Sequence, residues 1–328
     1  MEIVEGPVGK RLHKRAGSWP PPAGAGESSR DSPRKGKIRV RYFIVNRVSG
    51  NGRGLARWSR IEPVLKERGI PYRVAFTERP GHATELAREA AKTGVRAVVA
   101  VGGDGTVNEV GNGLIGTDVP FGYIPAGSGN DFATAQGIPK DPVKALDRVL
   151  KHSPRRVDTA DFGGRVMVSS IGIGFDGQVA KTVNESKWKQ RWGKGSYAIG
   201  VLKELRRFQP TRVTLEVDGQ VIREEGVWLI AVANVSCYGG GMKICPEAKN
   251  DDGLLDICLV RGISRWKLLR LFPLVFSGKH VNYPYVVMLR GAEIRVSAER
   301  PLVVHADGEI VGETPVIISV RPQSLTLL

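Results

Sequence analysis

Over residues 38–150 short β-branched runs alternate with amphipathic segments, and that alternation leaves few folds open to the chain. The runs at 38–45, 72–76, 97–101 and 121–124 have the length and branching of buried strands. Between them, 55–68, 82–92 and 107–115 carry apolar residues at helical spacing, and Asp141-Pro142 opens one more helix through about Leu150. Strand followed by helix, several times over, predicts an α/β unit whose parallel sheet is covered on both faces.

The pattern then changes. Strand-like runs at 212–217, 221–235, 254–260, 285–289, 293–296, 302–306 and 316–320 dominate, with helical segments only near 195–208 and 264–276. Asp218-Gly219 is a two-residue hairpin signal, because both residues tolerate the positive φ that a tight turn between strands requires. The second region is expected to be mainly antiparallel. Residues 1–37, rich in Pro, Gly, Ser and charge around Pro20-Pro21-Pro22, have the composition of a disordered extension.

In open α/β sheets ligands bind beyond the carboxyl ends of the strands. Three glycine-rich loops fall there: Asn46-Arg47-Val48-Ser49-Gly50-Asn51-Gly52, Gly102-Gly103-Asp104-Gly105-Thr106-Val107-Asn108-Glu109, and Pro125-Ala126-Gly127-Ser128-Gly129-Asn130-Asp131. Thr77 ends the remaining strand. Glycines let backbone N–H groups close around phosphate oxygens, and a helix starting after such a loop adds the positive end of its dipole. A turn explains any one glycine pair equally well; three loops at equivalent positions favour phosphate binding. Asp104 beside phosphates calls for a Mg²⁺ ion between them, and the absence of a Walker lysine excludes an ordinary P-loop.

Gly102 to Glu109, followed by Pro125-Ala126-Gly127-Ser128-Gly129-Asn130-Asp131-Phe132-Ala133, resembles the catalytic domain shared by soluble bacterial diacylglycerol kinases, the wider bacterial lipid kinases, and eukaryotic diacylglycerol, sphingosine and ceramide kinases. The resemblance runs from about Ile38 to the C-terminus. It implies an ATP-binding α/β domain over 38–153 followed by a β-sandwich-like lipid-substrate domain over 154–317, with residues from about 318 to 328 free to return to the first. ATP and Mg²⁺ are the implied cofactors. Nucleotide contacts carry over to Ser49, Gly50, Asn51 and Gly52, to Thr77, to the Gly102 through Glu109 loop, and to Gly127, Ser128, Gly129, Asn130 and Asp131. Arg47 stands where the family commonly has proline.

The same resemblance gives two further sites. Cys245 to Asp256 is similar to a segment holding a structural Mg²⁺, which implies a side-chain oxygen from Asp252 and backbone carbonyls from Lys249 and Leu254. Taken alone, that stretch is a solvated acidic turn. Asp307-Gly308-Glu309 matches the family's catalytic segment, with Glu309 as the base that accepts the acceptor hydroxyl's proton and Asp307 beside it. Read without the resemblance, Asp307-Gly308 is a second hairpin turn.

A net charge of +16 draws the protein to an anionic partner: nucleotide, nucleic acid or membrane surface. Three cysteines without CxxC spacing fit a reducing cytoplasm, and no apolar run reaches the roughly 20 residues of a bilayer span, so lipid would be met peripherally, at the inner face of an anionic membrane. The stretch from Lys187 to Lys194, with Trp188 and Trp192, and the apolar run from Trp266 to Phe276 are candidate membrane contacts, with an exposed basic helix end and an ordinary core helix as their respective alternatives. The histidines have no ligand or triad spacing. The leading reading is an ATP-dependent kinase of a lipid hydroxyl, most simply diacylglycerol to phosphatidic acid. NAD kinase, which shares a related glycine loop, and a basic nucleic-acid-binding protein are the alternatives, although no specific nucleic-acid surface is visible. No feature fixes the oligomeric state, a homodimer included.

Overall fold

In a computed structural model of the chain, residues 4–5, 39–151, 153–185 and 195–328 are described. Most of the expected N-terminal extension and the stretch from Lys187 to Lys194 lie outside them. Within the extension, Val4–Glu5 forms a short strand, β1, which pairs antiparallel with Tyr72–Phe76. These two residues are ordered because an edge strand offers a row of unpaired backbone groups.

The first region runs β2 (Arg41–Val45), α1 (Ser49–Glu67), β3 (Tyr72–Phe76), α2 (His82–Lys92), β4 (Ala97–Gly102), α3 (Asp104–Leu114), β5 (Phe121–Pro125), α4 (Asp131–Ala135) and α5 (Pro142–Lys151). The strands are parallel in the order β3-β2-β4-β5. Every residue of β2, β4 and β5 is buried, which is why these runs read as continuously apolar rather than alternating. Val45 is in register with both Phe76 and Val101, and Val101 with Ile124, so the four carboxyl ends finish level and their loops meet on one edge. α3 starts earlier than the spacing predicts, at Asp104, directly after β4. α1 starts at Ser49, but its first turn is broken by positive φ at Gly50, Asn51 and Gly52.

The second region comprises β6 (Arg155–Phe162), β7 (Arg165–Met167), β8 (Ser170–Gly174), α6 (Phe175–Glu185), α7 (Gly195–Arg207), β9 (Thr211–Val217), β10 (Gln220–Ala233), β11 (Leu255–Arg261), α8 (Arg265–Val275), a 3-10 turn at Lys279–Asn282, β12 (Val286–Gly291), β13 (Glu293–Ala298), β14 (Val303–Ala306), β15 (Glu309–Glu313) and β16 (Val316–Leu327). Its strand pairings are antiparallel. The Asp218-Gly219 hairpin forms with φ of +48° and +82°, bringing Val217 opposite Gln220. The protein is thus a parallel α/β unit followed by an antiparallel, sandwich-like unit.

β8 and α6 escape sequence reading because glycine dilutes both, and close packing explains why. A Cβ on Gly172 would lie 2.2 Å from both Asp176 Oδ2 and His305 Nε2, and one on Gly177 would lie 2.1 Å from the Val303 carbonyl. β16 is longer than the expected 316–320 because β6 provides a partner beyond Val320, across a register shift between Arg321 and Leu325. Its early residue Ile318 belongs to the core of the second region, while Leu325, Leu327 and Leu328 pack in that of the first. A single strand therefore crosses from one core to the other.

Candidate functional site

The three glycine loops touch one another. A Cβ on Gly50 would sit 2.2 Å from the Ala126 carbonyl, and one on Gly127 would sit 2.5 Å from the Gly103 Cα. One on Gly103 would reach Gly127 Cα at 3.0 Å and Ser49 Oγ at 3.2 Å. Glycine is required for proximity at Gly103 and Gly127, and for both proximity and its positive φ at Gly50. The loops leave Asn51, Gly52, Gly105 and Ser128 exposed around them, and α3 presents an N-terminus with no side-chain cap. Uncapped N–H groups and the helix dipole favour an anion at that point.

Side chains hold this edge together. Asn46 Nδ2 donates to Thr106 Oγ1 (3.2 Å), and Arg53 donates to the Gly50 carbonyl (2.8 Å) and to Ser128 Oγ (3.1 Å), linking the first and third loops. Arg47, at the position where proline is common, lies over the Phe76 ring at 3.9 Å, so a cation–π contact steadies the loop in place of a proline-set turn. Thr77 donates its N–H to the Val45 carbonyl (3.0 Å), beside the first loop. Asn130 adopts φ +57°, accepts from Gly127 N–H (2.7 Å) and Tyr123 Oη (3.1 Å), and donates to the Gly127 carbonyl (2.9 Å).

The acidic residues of the loops are turned to structure. Asp104 accepts the N–H groups of Asn130 (2.8 Å) and Phe132 (3.1 Å), so its carboxylate caps α4. Burial pushes its pKa up, and these backbone donors oppose that rise. Glu109 accepts the Ala83 N–H (3.0 Å) at the start of α2. Asp131 accepts the Gly240 N–H (2.7 Å), tying the third loop to the second region. Val107 lies in the core and Thr106 is buried, so at both positions the backbone is the part left to meet a ligand.

The Asp307-Gly308 turn has φ of +48° and +88°, the same geometry as Asp218-Gly219. In each turn the aspartate accepts backbone N–H groups from a neighbouring segment; Asp218 takes those of Ala292 and Glu293. Asp307 accepts those of Val168 (2.8 Å), Ser169 (2.8 Å) and Ser170 (2.9 Å), and also the side-chain amide of Asn108 on α3. Burial raises its pKa against the pull of these donors. Glu309 opens β15, is exposed, and makes no side-chain hydrogen bond among the described residues. Asn184 donates to the Gly308 carbonyl (3.0 Å) from the other side of the turn.

Behind the turn is a cluster that sequence reading missed. His305 Nε2 lies 2.9 Å from Asp176 Oδ2, which also accepts the Tyr238 hydroxyl (2.6 Å), all three residues being buried. His305 was overlooked because its partners come from α6 and the segment after β10, remote in sequence. Asp176 and Tyr238 also line a pocket whose other walls are His280 and apolar side chains, among them Val201 and Leu205 of α7 and Leu268, Leu271 and Phe272 of α8.

The expected ion segment is clamped by Asp158, whose N–H donates to the Asn250 carbonyl (2.7 Å) and whose carboxylate accepts the Gly253 N–H (2.8 Å). Asp252 pairs with Arg290, which also lies 3.3 Å from Asp256 Oδ1. No cluster of three or more His, Cys, Asp or Glu side chains able to hold a metal occurs among the described residues. Mg²⁺ needs only one or two carboxylates beside carbonyls and water, however, and the second oxygen of Asp256 is buried without a hydrogen-bond partner among them. Asp252 itself accepts the Leu254 N–H on its other oxygen (3.2 Å), so a cation here would have to share its carboxylate with Arg290 and that N–H.

With this geometry in hand, comparison with known proteins is specific. Residues 41–162 match the diacylglycerol kinase catalytic domain, and residues 169–328 match the YegS C-terminal NAD kinase beta sandwich-like domain. A diacylglycerol kinase of Mycobacterium tuberculosis is 36% identical over 292 residues, covering 87% of this chain and 93% of that protein. The putative lipid kinase YtlR of Bacillus subtilis is 30% identical over 303 residues, covering 87% and 98%. A solved structure of a putative diacylglycerol kinase from Bacillus anthracis superposes with a TM-score of 0.73 at 26% identity, covering 89% and 98%. Fold and matches together define a two-domain kinase, a transferase. The chain belongs to the diacylglycerol kinase family of lipid kinases.

Three substitutions test the geometry. Gly127→Ala should lower stability by about 1–3 kcal/mol, because the added methyl meets Gly103 backbone rather than a movable side chain, read as a lower unfolding midpoint. Asp307→Asn sets an amide against backbone N–H groups and should cost about 1–3 kcal/mol and depress turnover as well. Asp218→Asn, at the equivalent turn away from the loops, should lose stability without the accompanying loss of turnover.

Proposed function

We propose that the protein transfers the γ-phosphoryl group of ATP to a lipid hydroxyl in a Mg²⁺-dependent reaction, most simply converting diacylglycerol to phosphatidic acid. The observation that carries this reading is the Asn108–Asp307 hydrogen bond. It joins the phosphate-binding edge of α3 to the turn that bears Glu309, so donor and base would share one cleft. In the reaction the lipid oxygen bonds to the γ-phosphorus as the bond to the β–γ bridging oxygen breaks, ADP leaves, and the hydroxyl proton passes to the Glu309 carboxylate. Backbone N–H groups of the glycine loops and the α3 N-terminus would hold the triphosphate and resist its charge. Ser49, Asn51, Thr77 and Ser128 are the hydroxyl and amide groups available to orient the nucleotide. Mg²⁺ bound with ATP would supply positive charge that offsets the mutual repulsion of its phosphates.

The acceptor pocket under this reading is the apolar one between α7 and α8, with Asp176 and Tyr238 in its lining. No helix among the described residues is long and apolar enough to cross a membrane.

The direct test is transfer of labelled phosphate from ATP to a panel of lipids in mixed micelles, with NAD as the competing acceptor. Phosphatidic acid from diacylglycerol is the expected product; labelled NADP with no labelled lipid would overturn the reading. Glu309→Gln should reduce kcat by about two to four orders of magnitude with little change in KM for ATP. A separate thermal titration addresses the ion: Mg²⁺ should raise the unfolding midpoint of the nucleotide-free protein, and Asp252→Ala should abolish that shift.

A further inference from the structure

α8 is apolar on both faces. Leu268, Leu271 and Val275 point into the protein and wall the lipid pocket. On the opposite face Trp266, Pro273 and Phe276 follow one another at i, i+7 and i+10, a single exposed stripe, with half-buried Leu269 at its margin with the pocket; Trp266 is 77% exposed and Phe276 47%. A surface helix of a soluble protein normally directs polar groups outward, so an outer apolar stripe headed by tryptophan lacks the partner it is built for.

Charge identifies the partner. Between Asp256 and Glu293 the chain carries no carboxylate and six Lys or Arg residues. Arg261 pairs with Glu224, Arg290 pairs with Asp252 and Asp256, and Arg265 donates to the carbonyls of Leu205 and Phe208. Lys267, Arg270 and Lys279 are exposed and have no carboxylate partner among the described residues. Lys267 and Arg270 flank the stripe on α8, and Lys279 follows in the 3-10 turn, where Tyr283 is also exposed. Indole, aliphatic and phenyl groups bordered by cations with no interspersed acids match the interfacial layer of an anionic bilayer. The rings enter the headgroup region while the cations meet its charge.

We propose that the outer face of α8, from Trp266 to Phe276, docks the protein on an anionic lipid bilayer. The proposal rests on the lipid-kinase reading for its purpose, since the inner face of the same helix lines the acceptor pocket and docking would bring that pocket to the membrane.

The full chain, mixed with vesicles of equimolar phosphatidylcholine and phosphatidylglycerol, should co-sediment, and should do so far less with phosphatidylcholine alone or at high salt. Arg270→Ser should weaken vesicle binding about fivefold, the loss of one cation near the surface. Trp266→Ser should weaken it on the order of tenfold by removing the apolar anchor. Both side chains are exposed, so the unfolding midpoint and the rate on a short-chain diacylglycerol dissolved as monomer should be unchanged, while the rate on vesicle-borne diacylglycerol should fall. Variants that bind vesicles as the unaltered protein does would overturn the docking face. So would a concentration-dependent dimer that Trp266→Ser dissociates, because a second copy would then be the occupant. Vesicle binding through α8 without phosphate transfer to lipid in either form would leave the docking face standing and sink the lipid-kinase reading instead.

Discussion

The Asp307 carboxylate accepts hydrogen bonds from both halves of the molecule, from the backbone at 168–170 and from Asn108 on α3. A buried carboxylate is costly unless its lone pairs are filled, and four N–H donors fill them. The consequence is positional: α3 begins at the glycine loops, the β14–β15 turn ends at Glu309, and one acidic side chain sets the distance between them. β16, with residues in both cores, supplies a second and covalent link between the same two halves.

Acidic residues among glycines invite a reading in terms of metal ions, yet Asp104, Glu109 and Asp131 accept backbone N–H groups instead. Their effect is to fix three loops that have few side chains of their own. Glycine allows the loops to approach within a distance that no Cβ would permit, but it leaves them entropically free; the carboxylates remove that freedom. The edge is thereby preorganised while its own N–H groups at α3 remain directed outward. A phosphate-binding surface made of backbone depends on such anchoring, since no side chain can be moved to compensate for a misplaced loop.

Helix α8 joins the two environments that a kinase acting on lipid must bridge. Its inner residues pack with α7 against the β-sheet and its outer residues meet solvent with apolar groups, so the same eleven-residue element forms a pocket wall and an exposed stripe. Sequence spacing alone leaves this run as either a membrane contact or a core helix, because apolar residues on every side suit both.

Local pattern was enough to read the alternation of strand and helix, the Asp218-Gly219 hairpin, and α2 over His82–Lys92, because each depends on residues adjacent in the chain. The glycine loops and the Asp307-Gly308-Glu309 turn were legible for the same reason, as short motifs. The length of β16 was not, since only β6 supplies its partner, nor were β8 and α6, whose glycines answer to Asp176, His305 and the Val303 carbonyl. The Asp176–His305–Tyr238 cluster, the use of Asp104 as a cap, and the exposure of Trp266 likewise depend on segments far apart in sequence. By itself the sequence determined where glycine loops end the parallel strands and where tight turns fall, because those are properties of residue type and local backbone; the base at Glu309 came only through the family resemblance. Only the tertiary structure decided which carboxylates are consumed in holding the loops and which, like Glu309, make no side-chain hydrogen bond among the described residues, because that depends on whether a distant N–H group arrives within about 3 Å.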